Sequence, residues 1–142
     1  MMVGEVSAQN KTSFNDLDRL FAVEDRPVVV FFHAEWCKFC HQMKQTILSD
    51  NGISNSLDSN FYFIPFDVET REDVQYGGQV FSYNPTGTNT GIHEIALELT
   101  TIEDQIELPA LCVFHSQNEV LFQHNGLMSV EELEVVLDAL RN

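Results

Sequence analysis

An apolar run that ends shortly before a pair of cysteines constrains the fold of this chain most. Residues 28–32 read Val-Val-Val-Phe-Phe, which predicts a strand buried on both faces, in the centre of a sheet covered by helices. Cys37 and Cys40 then open a segment whose apolar residues recur every four positions, which predicts a helix over about 37–48. Two thiols three residues apart at such a junction can touch, so they can form a reversible disulfide.

The remaining elements are predicted from apolar spacing, proline and turn residues. Pro65 lacks a backbone donor, which predicts that its strand lies at an edge of the sheet or ends its pairing there. Asp50-Asn51-Gly52 resembles a helix stop. The predicted elements begin with a helix over 13–23 and a strand over 61–66. Residues 67–108 are the least predictable part, in which a short ribbon or elaborated loop is followed by a helix of about ten residues carrying Ile95, Leu99 and Ile102. A hairpin of 109–114 and 120–122 and a final helix begun by a capping box of Ser129 and Glu132 complete the chain.

Length and charge restrict the class of protein. The chain has 142 residues, of which 44% are hydrophobic, enough for the core of one domain. Seven basic and twenty-two acidic residues give a formal charge of −15, which argues against nucleic acid or anionic lipid as a partner. No segment approaches the roughly 18–20 apolar residues that cross a bilayer, so we expect no membrane insertion. A monomer is expected.

The cysteine count and the first residues bear on the compartment. Three cysteines are too few for a disulfide scaffold. Residues 1–11 are polar and aperiodic, so we expect a flexible leader without the basic start and apolar run of a signal peptide. Because a signal peptide can be removed from a mature chain, the compartment stays open between extracytoplasmic and cytoplasmic.

Three motifs in the same order resemble the thioredoxin-like family. Residues 31–40, Phe-Phe-His-Ala-Glu-Trp-Cys-Lys-Phe-Cys, are similar to that family's approach to its active site. Leu108-Pro109-Ala110-Leu111 resembles the loop whose proline is cis and faces the disulfide, and Gly126 with residues 129–133 looks like the last turn and helix. The resemblance implies one α/β domain over 12–142 with three layers, in which helices flank a mixed sheet of four or five strands.

The chain also departs from ordinary thioredoxin. An insertion, at about residues 75–92, precedes the cis-proline loop. Phe31 and Phe63 stand where the family places a buried acid and a lysine, so His41, Glu35 or water is left to take the proton of the second cysteine. The Lys-Phe centre of the motif and the following His41 are more similar to bacterial thioredoxin-related thiol:disulfide interchange domains.

The two cysteines are the predicted catalytic residues. Cys37 lies at a predicted helix N-terminus, where free N–H groups and the helix dipole favour a thiolate by about 0.3–1 kcal/mol, so it is assigned as the attacking nucleophile. Cys40 lies one turn further on and resolves the mixed disulfide. The resemblance implies a thiol:disulfide oxidoreductase that works in the reducing direction, without a cofactor beyond the Cys37–Cys40 disulfide. Its partners would be a protein disulfide substrate and an upstream dithiol electron donor.

Six neighbouring residues are predicted to support the site. Lys38 and His41 would stabilise the thiolate. Trp36, Phe39 and Pro109 would form an apolar rim for an extended peptide, and the resemblance implies that the backbone of Leu108 pairs with that peptide.

Other functions fit the same residues. Cys37 to His41 is formally Cys-x-x-Cys-His, the attachment motif for c-type haem with His41 as axial ligand. Zinc bound by Cys37, Cys40, His41 and a fourth group is another reading, and a redox-inactive binding domain is a third. We predict that Cys112 is a buried inert thiol, and that His33, His115 and His124 are polar strand or loop residues without a chemical role.

Overall fold

The computed structural model describes residues 12–100 and 107–142. The predicted leader and Ile102 lie outside these residues. The elements in chain order are a 3-10 helix Phe14–Asp16, α1 Leu17–Val23, β1 Val28–His33, α2 Lys38–Thr46, α3 Asn51–Asn60, β2 Tyr62–Asp67, β3 Val74–Tyr76, β4 Gln79–Phe81, β5 Tyr83–Pro85, β6 Gly91–His93, α4 Glu94–Thr100, β7 Ala110–Phe114, β8 Val120–Asn125 and α5 Val130–Leu140.

A four-stranded mixed sheet with the order β2-β1-β7-β8 lies at the centre. As the apolar run predicts, β1 is an inner strand, parallel to β2 and antiparallel to β7. β7 and β8 form the predicted antiparallel hairpin. Among the described residues β2 pairs with β1 alone, so the predicted edge position of Pro65 is confirmed. No fifth strand joins this sheet in the described part of the chain.

The register places three strand ends together. His33 ends β1 and pairs with Asp67, which ends β2. Phe32 pairs with Ala110, the first residue of β7, so Pro109 enters the sheet beside the end of β1. The loop from β1 to α2 begins at this same end, which we call the upper end of the sheet.

Local signals begin the helices. The capping box predicted at Ser129 with Glu132 is present. At the start of the helix predicted over 13–23, the Asp16 carboxylate accepts a hydrogen bond from the Ser13 N–H. The prediction that Asp50 belongs to a helix stop is wrong. Its carboxylate accepts a hydrogen bond from the Ile53 N–H, so Asp50 caps the start of α3. Asparagine and aspartate are preferred at this position because their side chains satisfy a free N–H of the first turn.

The core fills both faces of the sheet. On one face Phe14 packs against the rings of Phe66 and Phe114. On the other face Phe31 is fully buried and lines a cavity together with Lys44 of α2. Leu133 and Leu137 of α5 are also buried, as the helical spacing predicts.

Two short antiparallel ribbons occupy the region predicted as a ribbon or elaborated loop. β3 pairs with β4, and β5 pairs with β6. His93 fixes the second ribbon to the domain, since its N–H donates to the Val68 carbonyl, its ring Nε2 donates to the Glu72 carbonyl, and its ring packs edge-on against Phe66. The second ribbon therefore joins the chain just after β2, near the upper end of the sheet.

Within the described ranges, the helices are all too short or too polar to cross a membrane.

Candidate active site

Cys37 and Cys40 form a disulfide at the start of α2. Their sulfur atoms are bonded to each other, and their Cα atoms are 5.2 Å apart. Cys37 is the N-cap residue of α2 with an extended backbone, and its Sγ accepts a hydrogen bond from the Cys40 N–H at 3.1 Å. The exposed fractions are 3% for Cys37 and 1% for Cys40, so both side chains are buried in the disulfide form.

The position of Cys37 suits a sulfur anion. A helix N-terminus leaves backbone N–H groups without partners inside the helix, and its dipole favours negative charge. The Cys40 N–H already points at the Cys37 sulfur. In the reduced protein the same donor is available to a Cys37 thiolate.

Exposed aromatic side chains flank the disulfide. Trp36 is 69% exposed and Phe39 is 54% exposed. Trp36 is also held in place, since its indole N–H donates to the Glu69 carboxylate at 3.1 Å. Pro109, the third residue of the predicted rim, is buried, so the apolar surface beside the disulfide is provided by the two aromatic residues.

The proline loop reaches the same end of the sheet as the cysteines. The Leu108–Pro109 peptide bond is cis, as the resemblance implies. The Pro109 carbonyl accepts a hydrogen bond from the Gly126 N–H at 2.7 Å, which ties the loop to the end of β8. Leu108 is half-buried.

The basic residues predicted beside the thiols lie on exposed positions of α2. Lys38 and His41 are both exposed. The His41 ring Nε2 lies 2.8 Å from the Glu35 carbonyl oxygen. Because a carbonyl oxygen can only accept, this nitrogen is the donor, and the ring is bonded to the loop that leads into the helix.

Two polar residues of the site were missed by sequence reasoning. Glu69 holds Trp36, and Asp67 pairs with His33 at the upper end of the sheet. The signal was present, because the ends of neighbouring parallel strands lie side by side and acidic residues end and follow β2. His33, for which the sequence predicts no chemical role, lines a cavity of about 450 Å³ beside α2.

Burial lowers the pKa of His33, and the positive charge of Lys44 lowers it further. The negative charge of Asp67 raises the pKa of His33, but by less than burial lowers it. His33 is therefore mainly a neutral imidazole at neutral pH.

The third cysteine lies apart from the disulfide in a different environment. Cys112 has no exposed surface, in the middle of β7. Burial raises the pKa of its thiol to about 12.

Metal ligation needs several donor side chains that converge. The described residues contain no group of three or more His, Cys, Asp or Glu side chains placed to hold a metal ion.

Comparison with known proteins gives one family and many similar structures. The family model described as "Thioredoxin-like domain" matches residues 15–141. A thioredoxin from Thermus thermophilus is similar with a TM-score of 0.64 and 21% identity, over 94% of this chain and 87% of the other. The DsbH oxidoreductase is similar with a TM-score of 0.65 and 13% identity, over 99% of this chain and 92% of the other. The reduced C-terminal domain of Neisseria meningitidis DsbD is similar with a TM-score of 0.56 and 17% identity, over 87% of this chain and 89% of the other. These likenesses bear on the fold, and sequence comparison with curated proteins gives no significant match.

Proposed function

We propose that this chain, which belongs to the thioredoxin-like domain family, is a thiol:disulfide oxidoreductase. It would act on protein disulfides through Cys37 and Cys40. The observation that carries this proposal is the disulfide itself. It lies at a helix N-terminus, with Cys37 as N-cap and with a backbone donor directed at the Cys37 sulfur. Two exposed aromatic side chains beside it offer an apolar surface to a peptide.

The reaction has two steps. In the reduced protein, the Cys37 thiolate attacks one sulfur of a substrate disulfide and releases the other as a thiolate. Cys40 then attacks the Cys37 sulfur of the mixed disulfide, and the second substrate thiolate leaves as the Cys37–Cys40 bond forms. The substrate gains two electrons, and an upstream dithiol returns the pair to its reduced state. The protein works as a monomer with no cofactor beyond this disulfide.

A disulfide reduction assay tests the assignment. Wild type should reduce insulin with dithiothreitol as electron donor, and Cys37→Ser should lose essentially all of this activity because the nucleophile is gone. Cys40→Ser should accumulate a mixed disulfide on Cys37 that mass spectrometry detects. Cys112→Ala is the matched control and should keep its activity, since that thiol is buried in β7. Activity that survives in Cys37→Ser would contradict the assignment.

The reducing direction has a separate test. The Cys37–Cys40 pair is equilibrated against graded glutathione buffers, and the reduced fraction is measured after acid quenching. A potential near roughly −270 mV supports a reductase, whereas a value near roughly −120 mV indicates an oxidase. A protein that exchanges with no buffer at all would instead be a redox-inactive binding domain.

A further inference from the structure

The second chemical step raises the question of where the proton of Cys40 goes. Only a thiolate attacks a disulfide at a useful rate, so Cys40 must lose its proton before it resolves the mixed disulfide. Cys40 is 1% exposed, which denies its thiol free access to bulk water. An acceptor is therefore needed inside the protein, near α2.

A cavity lined by both polar and apolar side chains lies beside α2. Lys44 is in its wall and lies four residues, or one helical turn, after Cys40, which puts the two on the same face. His33 and Asp67 line the opposite wall, from the paired ends of β1 and β2. The cavity is open to solvent and measures about 450 Å³, which is room for several water molecules.

Of the groups in this cavity, His33 has the chemistry of an acceptor. Lys44 is cationic and has no lone pair to offer. Asp67 already accepts a hydrogen bond from the Glu69 N–H at 2.9 Å, and a carboxylate is a weak base at neutral pH. His33 is half-buried, and its ring stacks against Phe31 with the ring centroids 5.5 Å apart.

The charges around His33 favour a neutral imidazole that is ready to take a proton. Burial lowers its pKa most, and the positive charges of Lys44 and His41 on α2 lower it further. Asp67 at the end of β2 and Glu35 in the loop after β1 raise it. His33 and Lys44 line the same cavity, so His33 lies beside α2.

His41 and Glu35, the two side chains that the sequence offers as acceptors, are less suited. His41 uses its Nε2 to donate to the Glu35 carbonyl and is exposed. Glu35 is an exposed carboxylate in the loop that precedes the cysteines.

We propose that His33 accepts the proton of Cys40, through water in the cavity, when Cys40 resolves the mixed disulfide. This step rests on the function proposed above. The Cys40 S–H bond breaks, its proton passes to the His33 imidazole, and the electron pair left on sulfur forms the bond to Cys37. The bond between Cys37 and the substrate sulfur breaks with its electron pair, and the substrate leaves as a thiolate. Imidazolium then returns the proton to solvent through the open side of the cavity.

Separate measurement of the two steps tests this role. A peptide disulfide with a fluorophore on one side and a quencher on the other reports the attack by Cys37, and rapid acid quenching with mass spectrometry follows the decay of the mixed disulfide. His33→Gln and His33→Ala are compared with His115→Gln, which changes a half-buried histidine at the β7–β8 turn. We expect both His33 variants to slow resolution about 100-fold at pH 7 and to leave the rate of attack within about twofold of wild type.

A proton acceptor has two further signatures that a packing role lacks. The deficit of the His33 variants should shrink above about pH 8.5, where thiols begin to ionise without help, and added imidazole should restore part of the rate in His33→Ala. Resolution that is as fast as wild type at pH 7, or that is slowed equally at all pH values, would overturn the proposal. A wild type that forms no mixed disulfide at all would instead refute the proposed function.

Asp67→Asn is a second variant that tests the role of His33 if the His33 variants do not fold. Asp67 raises the pKa of His33, so its removal should move the acidic limb of the pH profile for resolution to lower pH. The pH profile for attack should stay in place. An acidic limb of the resolution profile that stays where it is in wild type would overturn the role of His33.

Discussion

Environment separates the three cysteines, which are chemically identical as residues. Cys37 lies at a helix N-terminus beside exposed aromatic rings, whereas Cys112 lies in the middle of an inner strand and its pKa is raised by burial to about 12. We predict that iodoacetamide at pH 8 modifies the reduced native protein at Cys37 at least about 100-fold faster than at Cys112, because the thiolate is the reactive species. Peptide mass spectrometry after timed labelling measures both rates.

Unfolded protein is the control for this labelling. In denaturant all three thiols should react at similar rates, since the environments are gone. Rapid native labelling of Cys112 would mean that β7 opens easily, contrary to its complete burial.

Sequence reasoning found the cysteine pair that forms the disulfide, because its geometry depends on neighbours in the chain. Cys37 and Cys40 are three residues apart, and the helix that follows places both. His33, Asp67 and Glu69 were not recognised, because they come together only through the parallel register of β1 with β2, which joins residues more than thirty positions apart. A histidine in an apolar strand gives no sign of which face, or which helix, it lies against.

The start of α5 provides a test at the scale of one element. The Ser129 hydroxyl oxygen accepts a hydrogen bond from the Glu132 N–H, and the Glu132 carboxylate accepts a hydrogen bond from the Ser129 N–H. Replacing Ser129 with Ala removes the first bond and should reduce the free energy of unfolding by about 1 kcal/mol. Urea titration followed by circular dichroism measures it.

Ser59→Ala is the matched control. Ser59 is an exposed residue near the end of α3, and substitutions at such surface positions change stability by less than about 0.5 kcal/mol. Equal losses in the two variants would show that the cap makes no special contribution.

Elements with a repeating pattern or a capping signal were predictable, and those fixed by a single tertiary anchor were not. The strand β1, the hairpin of β7 with β8 and the capped helix α5 follow from local sequence. The second ribbon depends on His93, which is fully buried and bonded to the backbone on either side of it. Gly91 is needed there as well, because a Cβ at this position would overlap the ring of Tyr83. Neither the anchoring role of His93 nor the need for glycine at position 91 can be predicted from the spacing of apolar residues.

The whole molecule carries a large excess of negative charge. Its formal charge is −15, and such an excess destabilises the compact state through self-repulsion. We predict that raising NaCl from 10 to about 200 mM increases the midpoint of thermal unfolding by about 3 °C or more, because the screening length falls from about 30 Å to less than 10 Å. Differential scanning calorimetry measures this change.

Potassium chloride in place of sodium chloride is the control for the thermal unfolding experiment. Chloride at these concentrations acts mainly by screening, and potassium chloride should give the same increase at equal ionic strength. A midpoint that falls with salt would mean that attractive pairs, such as Arg26 with Glu24 at 3.0 Å, outweigh the repulsion.

The outer edge of β2 has a consequence for how copies of this molecule behave in a crowded solution. The Phe63 carbonyl on that edge is already bonded to the Thr12 N–H. Pro65, two residues further along the same edge, has no N–H to offer. A strand at the rim of a sheet is otherwise a template for another chain, and a proline interrupts the row of donors that such a chain would need. The residue that marked this strand as an edge in the sequence thus also protects the folded protein against strand-by-strand aggregation.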